Sequence, residues 1–132
     1  MRFILMMHAP YGTGKYEIFD WPPEDFQAHI AFLQSLNKEL TEAGEYVEVQ
    51  GLTPPGQAKL VRAGKDGAPI TDGPFPEAKE FLAGYWIVDV DSPERAIEIA
   101  AKASAAPGPG GVALNTPIEV REVMSGPPPN DA

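Results

Sequence analysis

A chain of 132 residues, 43% hydrophobic and 22% charged, carries enough apolar material for one core and too little for two large ones. It has no cysteine, which excludes disulfides and thiolate metal sites. Its formal net charge of −9 opposes attraction to phosphate backbones and anionic lipid, so neither nucleic acid nor membrane is an expected partner, and a reducing, cytoplasmic setting is the expectation.

The first apolar run, Phe3 to Met7, is too short for a signal-peptide core or a membrane span. Within "RFILMMH" it predicts a strand with both faces apolar, and so a place inside a covered sheet. The "GTGKY" that follows has the lysine of a phosphate-binding loop. Ala9 stands where that motif has its first glycine, however, and Tyr16 where a hydroxyl would hold magnesium, so an ordinary loop is expected.

Pro22 and Pro23, followed by Glu24 and Asp25, predict a helix start, since proline suits the first turn and carboxylates favour the positive end of the dipole. The helix should run to Ala43 and stop at Gly44. At about 100° per residue its apolar arc holds Phe26, Leu33, Leu36 and Leu40, with His29 and Asn37 as the two polar members. Both should point at the sheet. His29 lies between Leu36 and Leu40 on this stripe, which makes it either a core histidine satisfied by a carbonyl or carboxylate, or a functional group with a tunable proton.

"EYVEVQ" alternates as a strand does, and "KLVRA" and "APIT" flank Gly64 to Gly67 as the two arms of a hairpin. Asp72-Gly73-Pro74 is turn chemistry. "FLAGYWIVDV", Phe81 to Val90, predicts a long strand with Tyr85, Ile87 and Asp89 on one face and Trp86, Val88 and Val90 on the other. Ser92-Pro93-Glu94 supplies a cap, a first-turn proline and an early carboxylate for a second helix that must end near Pro107, at "PGPGG". "PIEVREVM" is the last strand, and the tail 125–132, "SGPPPNDA", is expected to be disordered, leaving a single domain over 1–124.

The order β-α-β, hairpin strand, β-α-β predicts an α+β ferredoxin-like sandwich, an antiparallel sheet with two helices on one face. The other face would stay apolar and open. Packing it against a second copy is the usual remedy, so a homodimer is expected.

"TDGPFPEAKEFLAGYWIVDVDSPERAIEIAAK" followed by "IEVREVM" resembles the YCII-related family, in particular its DGPF subgroup, named for the tetrapeptide at Asp72 to Phe75. The likeness reaches back through "AHIAFLQSLNKELTEAG" to the first strand. It implies a dimeric α/β barrel of ferredoxin-like halves. It also implies a histidine on the first helix and an aspartate near a cleft as a catalytic or binding pair, here His29 and Asp72. On that expectation the Asp72 carboxylate orients His29, and the pair performs acid–base chemistry of an isomerase, lyase or hydrolase kind on a small organic molecule. Arg62, Tyr85 and His8 are the candidate substrate-binding residues, with Arg121 a further cation on an alternating strand. Two histidines and scattered carboxylates make no metal-ligand pattern, so neither metal nor cofactor is expected. The alternative is a non-catalytic ligand-binding or accessory dimer, transcription-linked without touching DNA.

Overall fold

In the computed structural model, which describes residues 1–10, 20–73 and 80–125, the chain runs β1 (Arg2–Pro10), α1 (Pro23–Glu42), β2 (Tyr46–Gly51), β3 (Leu60–Ala63), β4 (Pro69–Asp72), β5 (Glu80–Asp89), α2 (Pro93–Ser104) and β6 (Ile118–Glu122). Four of the strands form an antiparallel sheet in the order β2-β5-β1-β6, while β3 and β4 pair as a separate two-stranded ribbon. This is the ferredoxin-like α+β arrangement, with the ribbon inserted between the second and third strands of the sheet. The expected tail and the "GTGKY" loop lie outside the described residues, apart from Ser125.

The alternation of a strand explains where the core lies. Phe3, Leu5, Met7 and Ala9 of β1 are buried, and Trp86 and Val88 of β5 sit beside them in register, Leu5 opposite Trp86 and Phe3 opposite Val88. Leu36 and Leu40 of α1 and Ala96, Ile99, Ala100 and Ala103 of α2 close over this face. Complete burial of Leu5, Leu40 and Ile99 removes each side chain from water, at about 1.5–3 kcal/mol apiece. Within one chain the two helices cover only one of the two apolar faces expected for β1. Its even residues Ile4, Met6 and His8 are half-buried and face away from both helices, because a ferredoxin-like sheet receives its helices on one side only.

Each helix has its ends where local chemistry puts them. Gly44 takes φ +72° after α1, and the Glu45 amide returns to the Leu40 carbonyl at 2.8 Å, a left-handed stop that glycine adopts without a Cβ penalty. Ser92 caps α2 by accepting from the Arg95 amide at 3.3 Å. Arg95 then forks onto Glu45 at 2.8 and 2.9 Å, joining the start of α2 to the chain just past α1 and holding the Glu45 carboxyl below its usual range through that hydrogen-bonded charge.

Strand directions place the connections. β1 and β2 end, α1 begins, α2 ends, and β5 and β6 begin at one pole of the domain, so the long connections 11–22, 52–79 and 105–117 all leave from and return to it. The joins between elements at the opposite pole are the tight ones at 43–45 and 90–92. Function in a domain of this kind concentrates where long loops are held by a rigid scaffold.

Candidate functional site

His29 sits in the second turn of α1, at the pole that carries the long connections, and is 2% exposed. Its Nδ1 lies 3.0 Å from the carbonyl oxygen of Pro107. A carbonyl can only accept, so Nδ1 carries the proton, and in the neutral ring Nε2 keeps its lone pair. Trp21, just before the helix, meets the imidazole edge to face with ring centroids 5.4 Å apart. The ring is thus fixed in tautomer by one neighbour and in position by another, and Nε2 has no hydrogen-bond partner among the described residues.

The carbonyl is presented by a folded loop. Pro107 bridges to Ala113, the Gly108 amide donates to Val112 at 2.7 Å, the Leu114 amide to Ala106 at 2.9 Å, and Gly110 and Gly111 take positive φ values that reverse the chain. The Ser104 hydroxyl ties the end of α2 across the loop to the Thr116 carbonyl at 2.7 Å. Asp25 completes the attachment by accepting from the Gly110 amide at 3.2 Å, so α1 grips this loop from its first turn as well as through His29. The sequence marks "PGPGG" as a break between elements. It carries no signal that the break folds back onto α1, since His29 and Pro107 are 78 residues apart.

His29 is buried, as its place on the helical stripe predicts, and its hydrogen bond goes to the loop after α2. Asn37 points at the sheet as expected, and its Oδ1 accepts from the Trp86 indole at 3.0 Å. Asp72 ends β4 opposite Leu60 and is exposed, its carboxylate without a hydrogen bond or ion pair to a described residue. The turn expected after it runs into residues 74–79, outside the described part of the chain. Since the Pro107 carbonyl occupies Nδ1, a carboxylate such as Asp72 would meet this ring only at Nε2.

The other candidates divide between two places. Arg62 lies on the ribbon and is exposed. Tyr85 and His8 share the open face of the sheet with Ile4, Met6 and Ile87. There the Tyr85 hydroxyl donates to Glu48 at 2.8 Å, which holds the phenol above its ordinary range, and His8 Nε2 lies 3.1 Å from Glu119. Arg121, opposite Ile4, joins the same face from β6. Among the described residues no group of three His, Cys, Asp or Glu side chains could hold a metal ion, and no helix is long and apolar enough to cross a membrane.

The model of the YCII-related domain matches residues 23–120, from the first turn of α1 into β6. The chain belongs to the YCII-related family. Its match takes in α1, the ribbon, β5, α2 and the Pro107 loop, so every contact of His29 with that loop lies inside the family region. An uncharacterized protein of Rhizobium meliloti (strain 1021) is 30% identical over 80 residues, 61% of this chain. The chain spans 64% of that relative's length.

Proposed function

We propose that this YCII-related domain binds a small organic molecule at the pole between α1 and the Pro107 loop, with His29 Nε2 as the group that takes or returns a proton. The observation that carries the reading is the Nδ1 contact with the Pro107 carbonyl at 3.0 Å, which fixes the tautomer and leaves Nε2 as the acceptor. A histidine serving the core alone would be equally well satisfied by that bond. Three long connections converge on the same pole, however, and that convergence supports a site. Asp72 enters as a carboxylate brought to the ligand from the end of β4; it would meet Nε2 itself only when the ring is protonated there and Nε2–H donates to it. Acid–base chemistry of an isomerase, lyase or hydrolase kind suits an imidazole acceptor with no hydrogen-bond partner among the described residues.

The same reading sets a second copy of the chain over the open sheet face, where Ile4, Met6 and Ile87 form an apolar strip bordered by Glu48 and Glu119.

The test is a thermal-shift screen of a metabolite panel against the wild type, His29→Gln and Asp72→Asn. A compound that raises the wild-type melting temperature by several degrees and leaves both variants unmoved supports the pair, and turnover of that compound decides between catalysis and binding alone. A compound that stabilises all three equally removes His29 from the site.

A further inference from the structure

His29 is nearly buried but not sealed. Among the described residues no fully buried side-chain nitrogen or oxygen lacks a hydrogen-bond partner. Nε2 of His29 has no such partner, so the 2% of this residue that water still reaches includes Nε2. Nδ1 is taken by the Pro107 carbonyl, and Trp21 packs against the ring. A group that approaches from outside therefore meets an unprotonated nitrogen, which accepts a hydrogen bond and cannot donate one.

The surroundings of that nitrogen are poor in charge. The connection 105–117, which carries Pro107, holds no charged residue, and neither does 51–58, where the chain leaves β2 at the same pole. Each shows an aliphatic side chain to water instead, Val112 at 70% and Leu52 at 47% exposure. Gly51 lies opposite Gly84 on the helix-side face of the sheet, and a Cβ on Gly51 would meet nothing within 4 Å, which leaves room there for the body of a ligand. The charges that this pole does carry are engaged or solvated: Asp25 accepts from the Gly110 amide, Asp20, Glu24 and Glu80 are exposed, and Arg62 and Asp72 lie on the exposed ribbon. A charged group drawn out of water against a nearly buried imidazole needs a counter-charge, and neither the Trp21 indole nor the Pro107 carbonyl supplies one.

We propose that the ligand of this site is an uncharged molecule with an apolar body and one O–H or N–H, an alcohol, phenol, enol or amide, which donates to His29 Nε2 with its body against Trp21. The proposal rests on the binding site of the preceding section and adds the charge and polarity of what binds there. Carboxylates and phosphates are disfavoured because they lose water without gaining a cation, and ammonium ions because they lose it without gaining a carboxylate. Ethers and esters set an acceptor against an acceptor and leave Nε2 unsatisfied beneath them.

The experiment titrates the full chain with four probes of similar size, phenol, anisole, benzoate and benzylammonium. The readout is the ring nitrogen resonances of His29 by NMR, identified by their loss in His29→Gln, and circular dichroism checks that each variant folds. Phenol should move the Nε2 resonance, leave Nδ1 nearly still, and bind at least tenfold more tightly than the other three. Trp21→Ala should weaken phenol, and unchanged binding there overturns the place given to Trp21. Anisole that binds as well as phenol overturns the need for a donor, and benzoate or benzylammonium that does so overturns the need for an uncharged group. Both results leave the His29 site standing, because Nε2 still responds. An Nε2 resonance unmoved by all four probes at ~10 mM overturns the ligand class. If compounds that stabilise the wild type in the metabolite screen leave Nε2 unmoved as well, the site itself is overturned.

Discussion

Single side chains in this domain act by joining segments far apart in sequence. Glu45 is the clearest electrostatic case, because Arg95 grips both of its oxygens and lowers its affinity for a proton. The sign follows from linkage. A carboxylate whose folded pKa lies below its unfolded value near 4.3 contributes stability that is fully present above that unfolded value and is lost as the pH falls through the folded one. Glu45→Gln should therefore cost about 1.5–3 kcal/mol at pH 7, as expected for a hydrogen bond to a charged group. The difference from wild type in urea midpoint should shrink steadily below about pH 4. An equal deficit at pH 7 and pH 3 would mean that the pair acts through shape alone. At His29 the same scale shows the limit of reading a sequence: its place on the apolar stripe of α1 announced burial, but the Pro107 carbonyl that satisfies it was silent. A main-chain acceptor has no side-chain signature.

Between elements, close approach decides what each position tolerates. A Cβ on Gly84 would fall 2.8 Å from the Gln50 carbonyl oxygen and 3.4 Å from Gly51 Cα, both main-chain atoms of the neighbouring strand β2. On Gly108 it would fall 2.6 Å from the Leu114 side chain, whose end can rotate away. Gly84→Ala should therefore cost about 1–3 kcal/mol, the range of overpacking, and Gly108→Ala distinctly less, despite the shorter distance. Chemical denaturation of the two variants checks the order, and the reverse order would show that the Pro107 loop is the stiffer part. Element identity was well marked in the sequence, since proline starts, the Ser92 cap, the Gly44 stop and the alternation through Tyr85 to Val90 are local. The folding of "PGPGG" onto α1 was not, because turn residues specify a reversal and not the surface it lands on.

For the whole molecule the open sheet face carries the largest consequence. Ile87 stands opposite Ile4 at its centre, half-buried by its neighbours alone. Ile87→Glu should leave the monomer's secondary structure unchanged and weaken self-association at least tenfold, measured by light scattering across a dilution series. Unchanged association would place any dimer contact elsewhere. The ferredoxin-like class was determined by the sequence itself, because hydrophobic period, caps and turn residues are local properties and their order admits few topologies. Membership of the YCII-related family was equally legible, in the stretch from Thr71 to Lys102 and in "IEVREVM". Only the tertiary structure decided that both helices cover the same face of β1, that the 59–72 ribbon stands apart from the core, and that His29 Nδ1 donates a hydrogen bond to the Pro107 carbonyl. Each of these depends on which surfaces meet after the chain has folded, and periodicity along a single strand or helix carries no information about the element that faces it.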